Sequence, residues 1–131
     1  EKAAIKLSRQ IKEGGYKVIS AQEFAKKVED GQEMVIIDTM PASSFKNVHI
    51  VGAVNSVAPK TEKDVTPAVK ESLLNSAGSE KRKTVVVYCG FVACGRSHVG
   101  AKILVDNGYT DVYRFPAGIV GWKEGGYPLG N

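Results

Sequence analysis

The sequence predicts an α/β domain, a largely parallel five-stranded sheet with helices on both faces. Five short β-favouring runs, YKVIS, MVIIDT, HIVGAVNSV, TVVVY and VYRF, recur along the chain, and most are separated by stretches with helical spacing. MVIIDT and TVVVY are apolar without alternation, as strands covered on both faces are. At 131 residues, 43% hydrophobic and 24% charged, the chain has the balance of one globular domain. Such a chain buries roughly two thirds of its unfolded surface, so folding needs neither disulfides nor metal and leaves the two cysteines for other work.

The elements follow in order. In residues 3–13, Ala4, Leu7 and Ile11 share one helical face and Gly14-Gly15 stops the helix, which defines an amphipathic N-terminal extension over residues 1–15 ahead of a domain over 16–131. After the strand YKVIS, Ser20 and Glu23 form a capping box that opens a helix to about Glu29. Met34 to Thr39 is a buried strand with Asp38 at its carboxyl end, 41–47 is a turn and short helix, and HIVGAVNSV is one extended segment bent at Gly52. Thr66-Pro67 caps a helix with Val69, Leu73 and Leu74 inward. Thr84 to Tyr88 is the strongest strand. Ser97 to Asn107 is a helix with Val99, Ile103 and Leu104 inward and Gly108 as its stop, residues 112–115 are the last strand, and a short turn carrying Trp122 leads into a Gly-rich tail.

The net charge is +4, but Lys and Arg interleave with Glu and Asp along the chain, the pattern of solvated faces and not of a nucleic-acid stripe. No run approaches the ~18 apolar residues of a membrane span, so the chain reads as soluble. The absence of an initiator methionine at Glu1 leaves both a cytoplasmic chain and one exported after signal removal open. Two isolated histidines make no metal site, and no organic cofactor is called for.

The stretch VVVYCGFVACGRSHVGAK concentrates the chemistry. Cys89 ends the strongest strand, where parallel α/β sheets bind ligands, and faces the start of the helix near Arg96. Free N–H groups, the helix dipole and the Arg96 charge all favour a thiolate there, lowering its pKa from about 8.5. Gly90 and Gly95 permit tight turns in which the amides of Gly90, Phe91, Val92, Ala93, Cys94, Gly95, Arg96 and Ser97 point inward around an anion. Position alone serves equally a Cys89 that is a buried apolar strand end.

VVVYC, a short loop, GRS, a helix, NGY, VYRF and AGIVGW together resemble the rhodanese-like sulfurtransferase family, and VIIDTMPASSFKNVHIVGAVNSV resembles its upstream segment, with Asp38, Phe45, His49, Ile50, Gly52, Ala53 and Asn55 in register. The resemblance implies the rhodanese-like fold and makes Cys89 the catalytic nucleophile that accepts a sulfane sulfur as a persulfide. The loop from Gly90 to Ser97 is then its anion cradle. The implied partners are a small anionic sulfur donor such as thiosulfate or polysulfide and a thiol or cyanide acceptor, which includes an acceptor protein. Phosphatases and arsenate reductases of the same fold, a thiol-disulfide redox protein using both cysteines, and a non-catalytic binding module are the alternatives.

The sequence departs from that pattern in its loop. Six residues separate Cys89 from Arg96, against four in the family's Cys-x-x-Gly-x-Arg and five in the phosphatases and reductases. Met40 stands in place of an arginine, Val48 of a glycine, and Ala117 of the first glycine in Gly-Gly-Ile. Cys94 has three readings: loop filler, resolving thiol that closes a disulfide with Cys89, or second sulfur acceptor. His49 is expected to be structural, His98 solvated or touching substrate, Asp38 to hold backbone N–H groups, Arg114 to be a surface charge that adds to the field over the loop, and Trp122 to be core.

Overall fold

The computed structural model describes residues 2–130. In chain order the elements are α1 (Lys2–Gly14), β1 (Lys17–Val18), α2 (Ala21–Glu29), β2 (Val35–Asp38), α3 (Ala42–Asn47), β3 (His49–Ile50), β4 (Val54–Asn55), α4 (Pro67–Ala77), β5 (Val85–Tyr88), α5 (Arg96–Asp106), β6 (Val112–Phe115), α6 (Gly118–Glu124) and β7 (Leu129–Gly130), with a 3-10 turn at Glu62–Asp64. Five strands form one all-parallel sheet in the order β1-β6-β5-β2-β4. β5, the triple-valine strand, is its centre.

The period-2 alternation of side chains divides β5 between two cores. Val85 and Val87 join Ile37 and Val112 under α4 and α5, with Leu73, Ala77, Ala101 and Leu104 packed on them and Ile11 of α1 at the margin. Val86 and Tyr88 face the other way with Ile36 and Phe115, covered by Phe24 of α2 and Trp122 of α6. Helices therefore lie on both faces, and the absence of polar alternation in the strand follows from that double cover. β1 is short and exposed at the sheet edge, where Lys17 pairs with Asp111 at 2.6 Å, a charge that discourages pairing with another chain.

Local signals set the helix starts. Ser20 Oγ accepts the Glu23 amide and Glu23 accepts the Ser20 amide, both at 3.1 Å, so the capping box is complete. Thr66 Oγ1 accepts the Val69 amide at 3.2 Å with Pro67 in the first turn.

Two expectations are corrected. HIVGAVNSV is not one extended segment: Gly52, at φ 81°, turns the chain between β3 and β4, so Val54–Asn55 joins the sheet beside β2 while His49–Ile50 pairs antiparallel with β7. The Gly-rich tail thus ends in a strand that follows Pro128. The inward face of α1 is also shifted. Ala4 is exposed, while Leu7, Gln10 and Ile11 turn toward the domain, because this side rests on α5 and meets a polar group described below.

No helix among the described residues is long and apolar enough to cross a membrane. Phe24 is fully buried, edge-on to Phe115 at 5.3 Å and tilted against Trp122 at 4.9 Å. Phe24→Ala leaves a cavity between α2, α6 and the sheet and is expected to cost about 3–5 kcal/mol, read from urea unfolding midpoints.

Candidate active site at the two-cysteine loop

An all-parallel sheet brings every strand's carboxyl end to one edge, and the loop between β5 and α5 sits in the middle of it. Beside it, the chain leaving β2 is fixed by polar contacts. The Asp38 carboxylate accepts the Met40 amide at 2.8 Å and Asn55 Nδ2 donates to the Asp38 and Met40 carbonyls at 3.0 and 2.9 Å. Burial pushes the Asp38 carboxyl up, opposed by the Met40 amide and the Tyr88 hydroxyl. Asp38 therefore holds backbone, as the sequence suggests. The Met40 side chain lies against Gly90, so the residue that replaces the pattern's arginine packs on the loop.

Beneath the loop lies Arg114, fully buried. Its register next to Val87 turns it to the α5 face of the sheet. Nε donates to Ser97 Oγ at 2.8 Å, Nη1 to Gln10 Oε1 at 3.0 Å and Tyr16 Oη at 3.1 Å, and Nη2 to the Cys94 carbonyl at 3.0 Å. Every acceptor is neutral, and among the described residues no carboxylate pairs with this guanidinium. The expectation of a surface charge is overturned. α1 and the Gly15–Tyr16 turn supply two of its acceptors, so the sequence before the second helix takes part in the site.

The two thiols are reduced and differ in environment. Cys89 is 0% exposed, with Sγ 3.4 Å from Ser97 Oγ and 3.5 Å from the Cys94 carbonyl oxygen. Cys94 is 8% exposed and lines a cavity of about 290 Å³ together with Lys6, Lys60, Arg96, Phe91 and Met40. The Cys89 thiol donates to Ser97 Oγ or the Cys94 carbonyl. Interaction with the neighbouring Cys94 thiol, then burial, raises the Cys89 pKa. The same interaction lowers the pKa of Cys94, and the amides of Arg96 and Gly90 and the Arg96 charge add to the effect against the cost of burial. The mutual interaction of the two thiols thus favours the charge on Cys94, whereas the sequence points to Cys89. Cys94 also meets two amides and lines the cavity, while Cys89 at the strand end is fully buried.

The remaining residues of the expected cradle divide by role. Gly95 precedes α5 without a side-chain cap, leaving the first amides of the helix for sulfur. Its φ is −88°, and the need for glycine comes from close approach: a Cβ there would lie 2.6 Å from the Lys60 carbonyl oxygen. The Cys94 amide donates to the Phe91 carbonyl at 3.0 Å, a turn that folds the loop's extra length and leaves Phe91, Val92 and Ala93 exposed. Arg96 Nη1 donates to the Ala58 carbonyl at 2.6 Å, so its side chain braces the loop after β4, and its charge acts on Cys94. Gly118, at φ 64°, lets α6 begin against the loop: the Ile119 and Val120 amides donate to the Cys89 and Gly90 carbonyls at 2.9 and 3.0 Å, and a Cβ on Gly118 would lie 2.5 Å from the Cys89 oxygen.

His49 is structural: Phe45 stacks on it at 3.9 Å and its Nδ1 lies 2.8 Å from the Phe45 carbonyl oxygen. His98 is buried, neither solvated nor in the cavity beside Cys94. Its Nδ1 is 2.8 Å from Tyr16 Oη. Because Tyr16 accepts from Arg114, which only donates, its own proton goes to His98 Nδ1, and the imidazole is neutral with Nε2–H facing Glu62. Trp122 is core, its Nε1 donating to the Pro128 carbonyl at 2.7 Å. Sequence reasoning missed Gln10, Tyr16, Lys6 and Lys60 altogether; the one available signal was Arg114 itself, a lone charge in a strand otherwise ready for burial.

Residues 20–125 match the family model described as the rhodanese-like domain. The chain belongs to this family. Rhodanese-like folds also appear among the solved structures it resembles. A rhodanese-like domain from Anabaena sp. superposes with a TM-score of 0.68 at 21% identity, over 87% of this chain and 78% of that one. A thiosulfate sulfurtransferase from Pseudomonas aeruginosa gives a TM-score of 0.76 at 19% identity over 98% of this chain, which spans only 23% of that protein. A Rhodopseudomonas palustris protein of unknown function, a possible tyrosine phosphatase, gives 0.67 at 18% identity over 95% of this chain and 93% of that one. No curated protein matches this rhodanese-like chain. Gln10 and Tyr16, two of the four residues that hold Arg114, lie before the matched segment.

Two measurements test the buried network. Arg114→Lys keeps the charge but cannot reach four acceptors on separate elements, and is expected to lower stability by about 1–3 kcal/mol in urea unfolding. His98 has a pKa lowered by burial first and by Arg114 next, with Glu62 and Glu13 opposing and Lys102 assisting. A histidine with a lowered folded pKa stabilises fully above its unfolded value of about 6.5, and that stability is lost as pH falls toward the folded value. The unfolding midpoint should therefore decline below about pH 6.5 more steeply for the wild-type protein than for His98→Gln.

Proposed function

We propose that this rhodanese-like protein is a sulfurtransferase that accepts a sulfane sulfur from thiosulfate or polysulfide as a persulfide on the Cys89–Cys94 loop and delivers it to a thiol or cyanide. The observation that carries this reading is a thiol at the mouth of a basic cavity whose own carbonyl is held by a buried guanidinium with no carboxylate partner among the described residues. A persulfide is an anion at neutral pH and fits that field. Helix and loop amides beside the sulfur stabilise it in the way an oxyanion hole stabilises a developing charge.

The chemistry needs little proton transfer. A thiolate attacks the outer sulfur of the donor, displaces sulfite or a shortened polysulfide, and holds the sulfur until an acceptor nucleophile removes it. No residue in the loop needs to act as a general base, which agrees with Asp38 being committed to backbone and His98 to Tyr16. A phosphatase mechanism would require the strand-end thiolate and a freely presented arginine. Here the strand-end thiol is sealed and Arg96 is bound to the Ala58 carbonyl.

Brief incubation of the reduced protein with thiosulfate or polysulfide is expected to give a transient intact mass heavier by one sulfur, with sulfite released from thiosulfate and thiocyanate formed when cyanide is present. The Cys89→Ser/Cys94→Ser double variant should give neither. A wild-type protein inert to both donors would reject the reading.

A further inference from the structure

We propose that Cys94, at the mouth of the cavity, takes the incoming sulfane sulfur, and that Cys89 is the buried thiol that discharges it, so that the loop releases sulfide and closes as a Cys89–Cys94 disulfide. This ordering rests on the sulfurtransferase reading and reverses the roles that chain position alone implies.

Access comes first. The cavity that a donor can enter is walled by Cys94, and Cys89 does not reach it; the Phe91–Cys94 turn closes over the strand end and leaves Cys89 with no exposed surface. Charge comes second. Lys6, Lys60 and Arg96 surround the same cavity, a setting for a dianion such as thiosulfate, and Lys6 Nζ is tied to the loop by the Ala93 carbonyl at 3.4 Å. Lys6 lies on α1, before the segment that the family model matches, so part of the donor site comes from the helix that precedes that segment. Orientation comes third: Arg114 grips the Cys94 carbonyl and Ser97 from below, which fixes the backbone on either side of Gly95. The lowered pKa of Cys94 and raised pKa of Cys89 agree with this order.

The steps balance. The Cys94 thiolate attacks the outer sulfur of thiosulfate, a sulfur–sulfur bond forms, the bond to the sulfonate sulfur breaks, and sulfite leaves with its electron pair. The Cys89 thiol, already held at the Cys94 carbonyl, then attacks the inner sulfur of the Cys94 persulfide. The outer sulfur departs as hydrosulfide, carrying the proton of Cys89. Both cysteines are oxidised to the disulfide and the sulfane sulfur is reduced to sulfide. An external dithiol reductant reopens the loop for another turn. When an acceptor thiol reaches the persulfide before Cys89 does, sulfur is transferred without a disulfide, so the two cysteines set the partition between delivery and release.

The single variants decide the order. After exposure to thiosulfate and removal of excess donor, Cys89→Ser is expected to hold one added sulfur stably on Cys94, and Cys94→Ser to lose loading. The wild-type protein is expected to release sulfide and become two hydrogens lighter than its reduced form. A second readout uses the wild-type chain and so does not depend on the variants folding: after brief loading and alkylation at acid pH, fragmentation of the peptide Thr84–Arg96 should place the extra sulfur on Cys94. Loading of Cys94→Ser at Cys89, or an extra sulfur mapped to Cys89, overturns the order while leaving the sulfurtransferase reading intact. A wild-type persulfide that persists on Cys94 without sulfide release overturns the discharge step. Failure of every form to load removes both readings.

Discussion

Much of this structure answers to one buried cation. Taking a guanidinium out of water costs several kcal/mol unless its donors are met, and an arginine without a carboxylate keeps its net charge after they are. Arg114 is solvated by four neutral acceptors drawn from α1, the Gly15–Tyr16 turn, the loop and α5. Each is thereby fixed relative to β6. The uncancelled charge is left for whatever anion the loop carries, a thiolate or, in the proposed reaction, a persulfide. It also disfavours a second cation nearby, which is one reason His98 stays neutral.

The sheet makes this arrangement reachable. With all five strands parallel, the chain ends of β2, β4, β5 and β6 converge on one edge, and each connection there supports the loop: Met40 lies on Gly90, the Ala58 carbonyl takes Arg96, and the α6 amides take the Cys89 and Gly90 carbonyls. Trp122 and Phe24 anchor α6 and α2 on the far face, so α6 is held against the loop by the core itself. A site built this way is preorganised: among the described residues no buried side-chain nitrogen or oxygen lacks a hydrogen-bond partner before any ligand arrives.

The architecture was legible in the residues because its signals are local. The uninterrupted apolar run at 85–88, the capping box at Ser20–Glu23 and the Thr66-Pro67 start each carry their meaning within a few positions. The division of HIVGAVNSV was not legible, since β3 is a strand only by pairing with β7, about 80 residues away in sequence. The loop as the place of chemistry was legible from strand, cysteine and helix start. The unequal depth of its two cysteines was not, for depth depends on how the extra residues fold, and the Phe91–Cys94 turn leaves no compositional mark. Arg114 escaped for a related reason: its four partners span residues 10 to 97, and no short window of sequence contains them.

The length of the loop is therefore more than a variation on a pattern. In a loop that runs directly from strand to helix, the strand-end thiol lies at the focus of the helix amides. Adding residues and folding them back through the Cys94–Phe91 turn inserts a second layer, with one sulfur above the other. The upper sulfur, Cys94, gains the helix start, the Arg96 charge and the cavity; the lower, Cys89, gains protection and a fixed partner. Two thiols in one loop, one lining the cavity and one sealed, give it a polarity that a single cysteine lacks. The proposed entry of sulfur at Cys94 and its expulsion by Cys89 use that polarity, and it comes from the same added residues that lengthen the loop.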